Sequence, residues 1–184
     1  MSLGTGVAYV NRIHGAAQVL PFIEWPGKDH ESKAPTILAY DLKNRAKPTA
    51  WGYLAQDEEE NSGDRRVQMF FKTELALPPD QRPKNRIHPA DVLYHHFLGK
   101  LYEWLRMYFG TDRLGDITWE DAEIEFHFSV PVIWKPSTVQ LFRRHVENSG
   151  FQRYPRHTVF MPLTEPQAVA AFSIAQGSEM FKVR

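Results

Sequence analysis

The chain contains no cysteine, and this absence removes three kinds of structure at once. Disulfides, thiolate zinc sites and cysteine nucleophiles are all excluded. No apolar run approaches the roughly 20 residues that cross a bilayer. The N-terminus also lacks the basic and apolar regions of a secretory signal. We therefore expect a soluble, cytoplasmic protein without a membrane partner.

An excess of charge of either sign is also missing, because 22 Lys and Arg residues balance 22 Asp and Glu residues. A balanced chain has no global field that recruits nucleic acid, so we expect no nucleic-acid partner. The sequence has neither a Gly-x-x-x-x-Gly-Lys phosphate loop nor a Gly-x-Ser-x-Gly nucleophile elbow. A local basic group suits a phosphate, an acidic partner or a solvated helix face: Arg143, Arg144, Arg153 and Arg156.

The stretch from Ala122 to Ala175 is the most regular part of the sequence and predicts strand, helix, strand and helix. Apolar and polar residues alternate up to Val130, which is the period of a strand with one buried face. Pro136 or Ser137 opens the first helix. Gly150 stands where a left-handed C-terminal cap is expected.

The second half of this stretch places a carboxylate at a strand end. The short apolar run Thr158–Met161 predicts a strand, and Thr164-Glu165-Pro166 follows at the mouth of a helix rich in alanine. In α/β proteins a carboxylate in this position is well placed to line a ligand cleft.

The N-terminal part of the chain reads as short strands separated by turns. Pro26-Gly27 is a turn, and Gln56–Arg66 is a polar loop. Its carboxylates, Asp57–Glu60, lack the alternating spacing of a calcium loop. The predicted strands are Val7–Val10, Val19–Trp25, Thr36–Leu42 and Trp51–Ala55.

An apolar segment, a linker and a long helix follow. The segment Val67–Leu75 carries Lys72, and the proline-rich linker Leu77–Pro89 is expected to be extended. His95 and His96 are adjacent, so they point to different helix faces and predict no zinc site. The helix runs from Pro89 to Gly110, with one apolar face made of Leu93, Phe97, Leu101, Trp104, Leu105 and Tyr108.

In order and spacing, these segments resemble the seventy-kilodalton heat-shock chaperones, a heat-shock protein 70 like family in the actin-like ATPase superfamily. The resemblance implies an α/β fold: the first lobe of an actin-like ATPase domain, with a ribonuclease-H-like mixed sheet and flanking helices. Residues 1–55 and 120–184 then form the central sheet subdomain, and residues 56–119 a peripheral helical one. The matching segments are Ile23–Gly27, Lys33–Tyr40, Trp51–Ala55, Phe128–Pro131, Trp134, Gly150-Phe151 and Thr164–Ala171.

The same resemblance implies a nucleotide site for ATP with Mg²⁺. Glu165 corresponds to the residue that orients the attacking water, and Lys72 to the one that steadies the transferred phosphate. The segment Gly4-Thr5-Gly6 corresponds to a phosphate hairpin, although Ser2 stands where the family has an aspartate. Structural roles are open for each: Glu165 as a helix cap, Lys72 as a snorkelling side chain, and the glycines as a simple turn.

The chain ends at Arg184 without the Asp-x-Gly-Gly-Gly-Thr loop that the second lobe carries in this family. We therefore expect a degenerate or truncated ATPase lobe whose ATP binding and hydrolysis are weak or lost. The alternative is a non-catalytic protein-interaction module that binds a protein partner, or itself, through the exposed lobe face. A phosphotransferase of the sugar-kinase type shares the fold, but no sugar-binding signature is visible.

Overall fold

The computed structural model of the 184-residue chain describes residues 4–10, 19–61, 65–111, 113–168 and 170. The protein belongs to the α/β class, with small sheets and several helices. It divides into two compact units, Met1–Lys100 and Leu101–Arg184. No helix within the described residues is long and apolar enough to span a membrane.

Short strands build most of the first unit. They are β1 (Gly4–Thr5), β2 (Ala8–Tyr9), β3 (Leu20–Pro21), β4 (Glu24–Trp25), β5 (Lys28–Asp29), β6 (Ala34–Pro35), β7 (Leu38–Asp41), β8 (Ala50–Trp51) and β9 (Arg65–Gln68). A three-stranded antiparallel sheet has the order β8–β7–β9, and the other strands form the antiparallel pairs β1–β6, β2–β3 and β4–β5.

Strand β7 is the centre of the three-stranded sheet and confirms the core of the predicted strand 36–42. Leu38, Ala39 and Tyr40 are fully buried, so both faces of β7 are covered, and both of its edges are paired. Aromatic side chains extend this core: Trp51 meets Trp25 and Phe97 edge to face, at ring-centroid distances of 6.4 and 5.7 Å.

The turn at Pro26-Gly27 is confirmed. It joins β4 to β5, and Trp25 lies opposite Lys28 in the pair. Proline in the first central position and glycine at φ 81° in the second satisfy the needs of a type II turn. The predicted strand 19–25 is interrupted, because only 20–21 and 24–25 have ladder partners.

Two predictions at residues 51–66 are wrong. Strand β8 ends at Trp51, and helix α1 (Gly52–Asn61) takes up the remainder of the predicted strand Trp51–Ala55 and much of the predicted loop. A five-residue apolar run does not distinguish strand from helix. Glutamate favours helix, so the acidic run after Gln56 extends α1 instead of forming a loop.

Two helices follow β9. Helix α2 (Phe71–Glu74) carries Lys72, and the linker contains a single 3₁₀ turn, Pro79–Gln81. Helix α3 (Ala90–Gly110) has the predicted ends. The boundary between the two compact units falls within α3, and the predicted subdomain at 56–119 stays a prediction. The apolar face of α3 is confirmed by burial of Leu93, Phe97, Leu101 and Leu105.

The second unit contains a strand–helix–strand arrangement, as predicted. Strand β10 (Ile124–Val130) pairs in parallel with β11 (His157–Thr164), and helix α4 (Pro136–Val146) connects them. Alternate residues of β10 are half-buried and exposed, as the period-two pattern requires. On the covered face Phe126 meets Phe151 with ring centroids 5.0 Å apart.

Gly150 ends the helical segment after α4 with φ 113°, a conformation that side chains rarely adopt. The site is also crowded, since a Cβ atom at this position would lie 2.5 Å from the Tyr102 ring. Both observations confirm the prediction that a glycine is required here.

Gly150→Ala should therefore lower the free energy of unfolding by about 2–4 kcal/mol, through backbone strain and overpacking against Tyr102. Urea denaturation followed by circular dichroism measures the change. Gly99→Ala is the matched control: it lies inside α3 with open space around it, and alanine there should stabilise by about 0.5–1 kcal/mol. Equal effects of the two substitutions would contradict this account.

Candidate functional site

The segment Gly4-Thr5-Gly6 lies against the strand that precedes Thr36. Gly4 pairs with Pro35, and Thr5 with Ala34, in the antiparallel pair β1–β6. A Cβ atom at Gly4 would lie 3.2 Å from the Ala34 carbonyl oxygen, so close backbone approach favours glycine here. The segment is thus a strand start with a defined neighbour.

Thr36 connects this segment to a cleft that contains Lys72. The hydroxyl oxygens of Thr5 and Thr36 are 2.9 Å apart and share a hydrogen bond. Thr36 also lines a cleft of about 80 Å³ on the side of β6 and α2. The lining residues are Pro35, Thr36, Ile37, Met69, Phe70, Lys72 and Thr73.

Phe70 forms one wall of the cleft in a strained conformation. Its φ of 66° and ψ of 0° lie in the left-handed region, which costs a non-glycine residue about 1–2 kcal/mol. The ring is 46% exposed, so little burial offsets that cost. The Phe70 carbonyl accepts a hydrogen bond from the Thr73 hydroxyl at 2.7 Å, which holds the start of α2. Such strain is concentrated at functional sites, so it singles out this wall of the cleft.

The chemistry of the cleft suits an anion better than a metal. The Lys72 ammonium and the Thr36 hydroxyl are donors for a phosphate oxygen, whereas the Thr73 hydroxyl already donates to the Phe70 carbonyl. Magnesium prefers carboxylate oxygens, and the lining contains neither Asp nor Glu. Across the described ranges, no three His, Asp or Glu residues form a group that could hold a metal ion. The residues present therefore fit a phosphate but do not fit Mg²⁺ directly.

Glu165 lies in the second unit, in a helical turn at residues 165–168 immediately after β11. Thr164 precedes this turn, and its backbone N–H donates to the Gln167 side-chain oxygen at 2.9 Å. This is one half of a capping box, so Gln167 helps to cap the helix start. Lys72 and Glu165 belong to different units, and their shared cleft stays a prediction.

Sequence reasoning missed a polar cluster behind β7. The Tyr40 hydroxyl is 2.7 Å from Nδ1 of His96. The ring of His88 lies 5.4 Å from the His96 ring, and Nε2 of His88 donates to the Arg45 carbonyl oxygen at 2.6 Å. Because these residues are far apart in sequence, no local motif announces the cluster. The adjacency of His95 and His96 gave no signal of it either.

Burial keeps the Tyr40–His96 pair neutral at neutral pH. It raises the pKa of Tyr40, and it lowers the pKa of His96 to about 4, with smaller contributions from His88 and His95. The Tyr40 hydroxyl and Nδ1 of neutral His96 share one hydrogen bond, whose donor depends on the imidazole tautomer. The pair stabilises the packing of β7.

No family model matches the chain, and comparison with curated proteins gives no significant match. The residues and their geometry therefore carry the functional argument.

The His96 arrangement predicts acid sensitivity. The folded pKa of about 4 lies below the ordinary value of 6.5, so the unfolded chain binds this proton first as the pH falls. The contribution of neutral His96 to the free energy of unfolding is fully present above pH 6.5 and is lost between about pH 6.5 and 4. His96→Gln, which retains an acceptor for Tyr40, should flatten the loss of unfolding free energy over this range.

Urea titrations at several pH values measure that slope. The matched control is His127→Gln, which removes an exposed histidine from β10. The control should keep the native pH dependence. An unchanged slope in His96→Gln would show that the buried cluster does not govern acid sensitivity.

Proposed function

We propose that the chain is a degenerate or truncated heat-shock-70-like ATPase-domain protein with weak or lost ATP binding and hydrolysis. One observation carries the proposal: Thr36 touches the Gly4-Thr5 strand on one side and lines the Lys72 cleft on the other. Two segments that the resemblance assigns to the phosphates are thereby brought together within the first unit.

Lys72 has the central role in this proposal. Its ammonium binds a phosphate oxygen, and the Thr36 hydroxyl donates to a neighbouring oxygen. The Gly4-Thr5 strand lies on the other side of Thr36 and supports it through the Thr5 hydroxyl; it does not line the cleft itself. Mg²⁺ would enter with ATP, bound by the phosphate oxygens of the nucleotide, because the cleft lining supplies no carboxylate for the ion.

Glu165 retains its inherited role in this proposal as the group that orients the attacking water in an intact relative. Its place at the carboxyl end of a parallel strand supports that role. Hydrolysis needs water, metal and phosphate held together. Ser2 brings no charge where the family has an aspartate. We therefore expect turnover by this chain to be weak or lost.

The alternative function, a protein-interaction module, is favoured by an apolar turn in the second unit. Val132 and Ile133 follow β10 and are 64% and 65% exposed, although both are aliphatic. Exposed apolar area next to a half-covered sheet is typical of an interface. In this alternative the turn contacts a protein partner or a second copy of the chain.

Calorimetric titration with ATP in the presence of Mg²⁺ tests the nucleotide proposal. We expect a dissociation constant no tighter than about 1 mM, a free energy near −4 kcal/mol. Any heat that is seen should disappear in Lys72→Ala. Lys135→Ala is the matched control, since it removes an exposed lysine outside the cleft. Micromolar binding, or binding that survives Lys72→Ala, would overturn the proposed site.

The interaction alternative predicts self-association that depends on the exposed turn. Val132→Ser with Ile133→Ser should shift the chain toward monomer, because it removes apolar surface without disturbing the core. Light scattering at high concentration and low salt measures the change. Met107→Ser, at another exposed apolar position, is the control and should have no effect. A native chain that is already monodisperse and monomeric would refute self-association.

A further inference from the structure

Three separate segments of the first unit form one basic surface. They are the loop 42–49 between β7 and β8, the start of β9, and the linker 82–89. Two hydrogen bonds tie them together: the Arg66 guanidinium donates to the Asn85 carbonyl oxygen at 2.7 Å, and His88 donates to the Arg45 carbonyl oxygen at 2.6 Å. The exposed cations of this basic surface are Lys43, Arg45, Lys47, Arg66 and Lys84.

Cations outnumber carboxylates in the basic surface. The three segments contain no Asp or Glu, while Asp41 directly precedes the loop and Asp64 directly precedes β9. Asp41 accepts the Lys43 backbone N–H at 2.6 Å. Arg86, also in the linker, is already paired with the buried Glu74. Among the described residues no carboxylate forms an ion pair with the five exposed cations. The basic surface therefore retains its positive potential.

The backbone under these cations is held in place. The Ala46 N–H donates to the Asn44 side chain at 3.3 Å, and Thr49 donates to the Ala39 carbonyl at 2.9 Å. The His88 ring packs against Tyr40 with ring centroids 5.4 Å apart. His88, which holds the Arg45 carbonyl, is therefore fixed by the buried strand β7. A fixed arrangement of charges loses less freedom on binding than a mobile one.

We propose that the basic surface binds an acidic peptide segment of a partner protein. The chain as a whole carries no net charge, so it has no long-range attraction for anions. Salt also screens the local attraction beyond about 10 Å from the cations. That range suits a short run of carboxylates. Nucleic acid is disfavoured because the overall charge is balanced. The three segments also contain no Phe, Tyr or Trp on which bases could stack.

Sequence reasoning did not identify this surface. It singled out a different basic group, Arg143, Arg144, Arg153 and Arg156, and passed over the short basic runs at 43–47 and 82–86. Arg143 there pairs with Glu147 at 3.6 Å and donates to a backbone carbonyl, so it is partly neutralised. The proposed surface depends instead on contacts between segments about 20 and 40 residues apart in the chain.

Fluorescence anisotropy with a labelled octaglutamate peptide at low salt tests the proposal on the full chain. Lys43→Ala with Lys47→Ala should weaken binding about fivefold or more, since each exposed ion pair contributes modestly. The matched control, Lys135→Ala with Arg144→Ala, removes the same charge from exposed positions of the second unit. It should change the affinity less than twofold. Binding should also weaken as salt rises to physiological strength.

His88→Ala tests the positioning of the loop, because it removes the anchor of Arg45 and leaves all five cations in place. Affinity should fall while circular dichroism stays native. If His88→Ala fails to fold, the double variant Lys43→Ala with Lys47→Ala and its control still test the proposal. Equal losses in the two double variants, preference for a single-stranded oligonucleotide at the same salt, or no peptide binding at low salt would each overturn the proposal.

Discussion

The first unit depends on the complete burial of strand β7. With β8 on one edge and β9 on the other, its backbone groups are paired and its side chains form the centre of the core. Leaving such groups unpaired would cost about 1–3 kcal/mol each. The residues immediately before β7 inherit this fixed position. Thr36 is therefore held where it meets both Thr5 and the Lys72 cleft.

Strand β7 also positions the polar cluster and the loop at its other end. The Tyr40 hydroxyl hydrogen-bonds to His96, and His88 links this pair to the loop that follows β7. The cleft and the basic surface are thus positioned by opposite ends of one buried strand. Their chemistry differs because the cleft is mostly apolar with one lysine, whereas the loop carries hydrated cations. This separation allows the two sites to be tested independently.

Local pattern predicted the regular elements well. The period-two alternation before Val130 and the apolar face of α3 each extend over enough residues to define one secondary structure, and Gly150 stands where backbone geometry admits little else. The run Trp51–Ala55 was too short to distinguish strand from helix, and the acidic residues after it concealed α1. These failures arose where apolar periodicity was absent or brief.

The candidate sites were predictable only in part. Lys72 and the Gly4-Thr5 segment were named from sequence, but their connection through Thr36 depends on strand pairing that no local pattern encodes. The left-handed conformation of Phe70 is imposed by the turn into α2 and could not be predicted from its identity. Contacts between distant segments likewise created the Tyr40–His96 pair and the basic surface.

In the proposed nucleotide site, Thr36 and Lys72 bound a residual phosphate position, and the Gly4-Thr5 strand supports Thr36 from the other side. A crystal structure at ATP concentrations well above 1 mM, the limit set by the weak affinity, would decide whether this site exists. We expect phosphate density within hydrogen-bond distance of Lys72 Nζ and the Thr36 hydroxyl. Well-defined nucleotide at any other position, or an experimental structure that separates Thr36 from Thr5, would contradict it.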